Sequence, residues 1–140
     1  MRRLPNLSEK CHSPAIQAIL DSRQQINSYL EIGVAAGGMT YLINHFFSPA
    51  KIVLVDDNKH HKAGLRKEVL AGVDCIELIG RSDEEEIEIA ALAHSPYDLL
   101  MIDGDHLYPG VKLDVLTYFP MVSPGGFLLL HDSAMPEWGV

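Results

Sequence analysis

The chain has 140 residues, 47% of them hydrophobic, so one domain with a real core is the expectation. Its formal net charge of −8 excludes non-specific binding to nucleic acid or to an anionic membrane, because no basic block is present to neutralise phosphates. Cys11 and Cys75 are isolated thiols, the N-terminus lacks an apolar signal core, and no apolar run reaches membrane-spanning length, so a reducing, cytoplasmic setting is expected.

Ser13-Pro14 reads as an N-cap with proline in the first turn of a helix that carries Ile16, Ile19 and Leu20 on one face. The pattern then predicts strand 29–32, helix 39–47, strand 51–55, helix 61–70, strand 74–78, helix 84–94, strand 97–102, helix 109–119 and strand 126–131. The strands are near-continuous apolar runs, which indicates a parallel sheet buried on both faces. Regular strand–helix alternation implies a single doubly wound α/β domain over residues 1–140 with right-handed crossovers. Val140 follows soon after the fifth strand; an uncovered edge strand there makes a homo-oligomer an expectation.

The segment Tyr29-Leu-Glu-Ile-Gly-Val-Ala-Ala-Gly-Gly-Met-Thr40 joins a buried strand to a helix through a glycine loop. That order presents backbone N–H groups and a positive helix end at the strand's carboxyl edge, where a nucleotide-like ligand can sit. Asp56 ends the next apolar run, 23 positions after Gly33. That is close to the roughly 20-residue spacing of a carboxylate that accepts hydrogen bonds from ribose hydroxyls. An adenosine-type cofactor is the consequence. The loop is not Gly-x-Gly-x-x-Gly, and Glu31 stands two residues before Gly33. A carboxylate there sits badly beside a pyrophosphate and suits a sulfonium or α-amino group, which favours S-adenosylmethionine over a nicotinamide dinucleotide.

A second polar cluster follows the fourth apolar run: Asp103-Gly-Asp105-His106-Leu-Tyr108. The fifth run ends in His131-Asp132-Ser133. Neighbouring parallel strands lie about 4.8 Å apart, so Asp103 can face His131 and Asp132 across one cleft. Carboxylates and imidazole together are the oxygen and nitrogen donors of a divalent metal. The acidic run Asp83-Glu-Glu-Glu-Ile-Glu88 complements a helix dipole and carries no chemistry.

At these residues the chain resembles class I S-adenosylmethionine-dependent methyltransferases. It is most similar to the small-molecule O-methyltransferase group that includes the macrocin and rhamnosyl O-methyltransferases and the cephalosporin-hydroxylase-like proteins. The similarity rests on Glu31-Ile-Gly-Val-Ala-Ala-Gly-Gly38, Ile102-Asp-Gly-Asp-His-Leu-Tyr108 and Pro124-Gly-Gly-Phe-Leu-Leu-Leu-His-Asp132. It implies a Rossmann-like, three-layer α/β/α fold with strand order 3-2-1-4-5, here without the last two strands of the full fold. Glu31, Gly33, Ala35 and Gly37 would line the methionine end of the cofactor, Asp56 would hold the ribose, and Ser82 would lie near the adenine. Asp103, His131 and Asp132 would hold Mg²⁺ or a similar ion, Asp103 also bordering the cofactor, with His131 standing where several relatives carry a carboxylate. Asp105, or failing that His106, would take the proton from a small hydroxylated acceptor such as a sugar or a polyketide or phenolic metabolite. The competing readings are a non-catalytic protein of the same fold that binds the cofactor or a partner chain, and a nicotinamide-dependent oxidoreductase.

Overall fold

The computed structural model describes residues 9–131, with side chains from Pro14 onward. In chain order it comprises α1 (Glu9–Ser22), β1 (Ser28–Ile32), α2 (Gly38–Phe47), β2 (Lys51–Asp56), a 3-10 turn (Ala63–Leu65) leading into α3 (Arg66–Val69), and β3 (Ile76–Ile79). It continues with α4 (Glu85–Ala93), β4 (Tyr97–Ile102), α5 (Tyr108–Tyr118), a second 3-10 turn (Phe119–Met121) and β5 (Val122–Leu130). The strands form one five-stranded sheet in the order β3-β2-β1-β4-β5, and every pairing is parallel.

The alternation of side chains along β1, β2 and β4 builds two cores. Tyr29, Ile52, Leu54, Leu99 and Met101 face α1 and α2, packing with Ile16, Ile19, Met39 and Ile43. Leu30, Val53, Val55, Leu100 and Ile102 face the other way, against Ile87, Ala91 and Tyr118 of α4 and α5. The predicted three layers and strand order are therefore present. Burial on both faces holds for the three central strands alone: β3 and β5 are edges, and most of their residues keep contact with solvent.

Several boundaries differ from the sequence pattern. The first helix is already formed at Glu9, which puts Pro14 inside it instead of in its first turn; the proline removes a single main-chain donor there. The expected helix 61–70 contracts to the 3-10 turn and the one-turn α3. Its apolar pattern is inverted, since Leu65 is exposed while Arg66 is turned inward at 4% exposure. β3 begins two residues late, at Ile76. β5 pairs first through Val122 with Tyr97 and next through Phe127 with Leu99, so Ser123 to Gly126 form an irregularity before the regular run. Among the described residues no helix is long and apolar enough to cross a membrane.

Candidate functional site

The sheet's register places the chemistry-bearing residues in one row. Ile32 pairs with Val55 on one side and Ile102 on the other, and Ile102 pairs with Leu130. The ladder runs one step further, with N–H groups of Gly33, Asp103 and His131 donating to the carbonyls of Val55, Ile32 and Ile102. Gly33, Asp56, Asp103 and His131 thus stand together at the carboxyl edge, where ligands of open α/β sheets bind. They border a cleft of about 800 Å³ whose wall also includes Ala35, Asp57, Ser82, Asp105, His106 and Asp114.

Gly33 is required by a close approach. Its φ is +81°, and a Cβ built there would lie 2.3 Å from the Asp103 carbonyl oxygen. The absent side chain lets the ends of β1 and β4 come together, which draws the glycine loop towards Asp103. Gly37 works differently. It is the N-cap of α2 with φ of +83° and packs against Leu70, away from the cleft wall.

Asp56 is tied to that loop. One carboxylate oxygen accepts the N–H groups of Val34 at 2.7 Å and Ala35 at 2.9 Å; the other accepts that of Asn58 at 2.7 Å. The second oxygen is also 3.1 Å from Arg66 Nη2, an ion pair not aligned as a hydrogen bond. Burial raises the Asp56 pKa, but the bonds from Ala35, Val34 and Asn58 and the Arg66 charge together hold it below the usual carboxylate range. The loop N–H groups of Gly33, Val34, Ala35 and Gly37 are occupied by protein acceptors and do not present themselves to a ligand. Asp56 likewise faces the protein's own donors.

Arg66, which the sequence pattern placed on an ordinary helix, completes this clamp. Its Nε donates to the Ala35 carbonyl at 3.0 Å, and Nη1 donates to Asn58 Oδ1 at 2.8 Å and to Glu77 at 3.2 Å. One buried cation thereby joins the loop after β1, the turn after β2 and strand β3. No periodicity signals an inward arginine; its only trace in the sequence is an apolar pattern that fails at Leu65.

Glu31 also turns to partners inside the protein. It is 2% exposed, lies under α2 on the face shared with Tyr29, and is not on the cleft wall. The Tyr29 hydroxyl and the Thr40 hydroxyl donate to its Oε2 at 2.8 and 2.5 Å. Burial pushes its pKa up to about 7 despite those two hydrogen bonds, with Asp103 adding to the rise and Arg66 opposing it. Tyr29, two positions earlier on the same strand face, was the available hint that this carboxylate has an internal partner.

Across the cleft, Ser82 sits as expected after β3, and its carbonyl accepts the Tyr118 hydroxyl at 2.7 Å. Asp114 of α5, 3% exposed, reaches the same wall. Burial raises its pKa to about 6; a hydrogen bond with Ser82 opposes this, and Asp105 and Asp83 reinforce it.

Asp103, His106 and His131 form the polar centre. His131 Nδ1 is 2.9 Å from Asp103 Oδ1. One donor atom from each of the three residues lies within 4.8 Å of the others. One carboxylate and two imidazoles are a donor set fit for a divalent ion, more for a borderline transition metal than for Mg²⁺, which prefers oxygen. Asp132, the other expected ligand, lies outside the described residues. Asp105 is exposed on the cleft wall, yet its carboxylate accepts the Leu107 N–H at 2.9 Å and packs over Gly110 at the start of α5. It is turned to the helix, while His106, expected only as an alternative proton acceptor, lies with Asp103 and His131.

Residues 30–133 match the model of a family described as a methyltransferase domain. The chain is 29% identical to mycinamicin VI 2''-O-methyltransferase of Micromonospora griseorubida, over 84% of this chain and 30% of that protein. It is 26% identical to demethylmacrocin O-methyltransferase of Streptomyces fradiae, over 78% of this chain and 28% of that protein. Among solved structures, MycE methyltransferase from the mycinamycin biosynthetic pathway, in complex with Mg, SAH and mycinamycin VI, superposes with a TM-score of 0.68 at 25% identity, covering 91% of this chain and 34% of that one. The O-methyltransferase TomG of Streptomyces achromogenes, in complex with SAM, gives 0.65 at 17% identity, covering 92% of this chain and 66% of that one. The chain thus spans about a third of the length of the curated relatives it matches.

Proposed function

Because the chain belongs to the methyltransferase-domain family matched by residues 30–133, we propose that it transfers a methyl group from S-adenosylmethionine to a hydroxyl of a small acceptor. The observation that carries this reading is the convergence of the glycine loop, the Asp56-Asp57 turn and the Asp103–His106–His131 cluster on one cleft. Its volume of about 800 Å³ suits a nucleoside-sized ligand with an acceptor beside it. Relatives named as O-methyltransferases of mycinamicin VI, demethylmacrocin and a rhamnosyl tetracenomycin favour an acceptor of sugar or polyketide type.

When bound, S-adenosylmethionine supplies an electrophilic sulfonium methyl, so the protein must align an acceptor oxygen and remove its proton. Gly33 and Ala35 on one wall and Ser82 on the other would hold the cofactor between them. His106, the exposed member of the cluster, fits the proton acceptor better than Asp105, whose carboxylate is directed at α5, when the ion is held by the other members. Asp103 and His131, with Asp132, would hold a divalent ion; such an ion lowers the pKa of a hydroxyl it binds. Positioning two reactants in this way contributes several kcal/mol by itself.

Calorimetric titration with S-adenosylhomocysteine tests the first half of the reading: micromolar binding at one site per chain is expected, and no binding by a folded chain would sink it. For the second half, His106→Ala should lower turnover about a hundredfold while S-adenosylhomocysteine affinity stays the same. Full turnover in that variant would remove His106 from the chemistry.

A further inference from the structure

We propose that Asp114 is a positioning residue: uncharged, it clasps Ser82 and holds α5 against the loop before α4, and its ionisation slackens that wall of the cleft. This inference rests on the methyl-transfer reading above for its choice of ligand, and adds a control to the cleft that holds it.

Two contacts from α5 build the wall. Tyr118, fully buried, donates its hydroxyl to the Ser82 carbonyl at 2.7 Å. One turn earlier, the buried Asp114 carboxyl hydrogen-bonds the Ser82 side chain. Both contacts reach a single residue of the loop 80–84, which lines the cleft together with Gly110, Leu113 and Asp114 of α5. The second contact uses a carboxyl where a carboxylate is badly placed. Facing it are Asp83, from the Ser82 loop, and Asp105, from the loop that opens α5. Arg81 is forked onto Asp83, with Nε at 2.8 Å and Nη2 at 2.7 Å, and Glu88 of α4 adds negative charge around Tyr118. Among the described residues no lysine or arginine is paired with Asp114. Burial and the two carboxylates favour the uncharged acid, the Ser82 bond favours the charged one, and the balance raises the pKa from 3.8 to about 6. A neutral Asp114 donates to Ser82 within the wall, whereas an ionised one is better accommodated in water. A ligand that fills the cleft takes water from this wall and penalises the charge further. Binding therefore draws a proton from solvent onto Asp114.

The test is calorimetry of the full chain with S-adenosylhomocysteine between pH 5 and 8, in pairs of buffers that differ in ionisation enthalpy. A one-unit rise of the Asp114 pKa on binding makes affinity about tenfold tighter at pH 5 than at pH 8, with net proton uptake between. Histidines of the same cleft can add their own dependence, so the readout is the difference from Asp114→Asn. Asparagine keeps a hydrogen bond to Ser82 without titrating, and this variant should lose the tenfold part and its proton uptake. Ser82→Ala removes the bond that favours charge and should move the midpoint of the dependence to higher pH. An Asp114→Asn variant that weakens binding by one factor at every pH, keeping the full dependence, overturns the proposal. Should that variant not fold, an unmoved midpoint in Ser82→Ala overturns it instead. Hydrogen exchange of the ligand-free chain separates this inference from methyl transfer. Protection of the Glu84 amide, which bonds back to the Arg81 carbonyl, should fall about tenfold between pH 5 and 8 after correction for intrinsic exchange, and not in Asp114→Asn. That fall without ligand binding leaves the clasp standing and defeats methyl transfer; binding without the fall or the pH dependence defeats the clasp alone.

Discussion

Asp56→Ala is expected to lower the unfolding free energy by about 3–5 kcal/mol, the cost of leaving one member of a buried ion pair without its partner. The sequence suggests a milder outcome, lost ligand contact with the fold intact, because a carboxylate at a strand end looks like a surface group. In the structure Asp56 is the acceptor for two loop amides, the Asn58 amide and the buried Arg66. Removing it leaves the Val34 and Ala35 N–H groups without their acceptor and leaves a cation that is 4% exposed with only the half-exposed Glu77 carboxylate as counter-charge. Urea denaturation of the variant measures the loss. A second variant identifies its source: Asp56→Ala combined with Arg66→Met should recover part of the stability, since the uncompensated charge is gone. A loss below about 1 kcal/mol for Asp56→Ala, or no recovery in the double variant, would mean that water reaches the pair and that its burial is unimportant.

The same pair shows why the fold was more legible than the site. Burial in a parallel sheet is written in runs such as Ile52-Val-Leu-Val55 and Leu99-Leu-Met-Ile102, and the doubly wound topology follows from alternation with helices, whereas the strand order came from the family resemblance. Gly33 was legible as the glycine of a strand-ending turn, and its positive φ and close approach to Asp103 require the missing Cβ. Which way a polar side chain points was not legible. Glu31 and Asp56 occupy strand positions adjacent to the cleft, yet both turn to internal donors: Thr40 and Tyr29 for one, Arg66 and the loop amides for the other. Those partners lie up to 22 residues away in sequence, and nothing local marks them. Asp105 illustrates a nearer competition, in which an amide two residues on engages a carboxylate that the resemblance had made the proton acceptor.

Glu31 gives the other large effect, and it is one of pH. Its pKa is raised from 4.5 to about 7 in the folded chain, chiefly by burial. The folded state therefore holds a proton that the unfolded state has already released between those two values, so this group's contribution to stability falls as pH rises through that window. By linkage the loss is about 3 kcal/mol once both states are ionised. Asp114, raised from 3.8 to about 6, acts in the same direction over a lower range. Asp56 acts in the opposite sense: its depressed pKa adds stability that is complete above its unfolded value of 3.8 and disappears only in acid. Between pH 5 and 8 the Glu31 and Asp114 terms remain, and Glu31→Gln separates them. Glutamine keeps an oxygen for Tyr29 and Thr40 but does not titrate. Urea denaturation at both pH values should show the unmodified protein losing more stability on going to pH 8 than Glu31→Gln does, by about 3 kcal/mol, or roughly 10 °C in melting temperature for a chain of this size. A uniform offset between the two proteins at all pH values would instead mean that Glu31 is already ionised at pH 5, held so by its two hydroxyl donors and the nearby Arg66 charge.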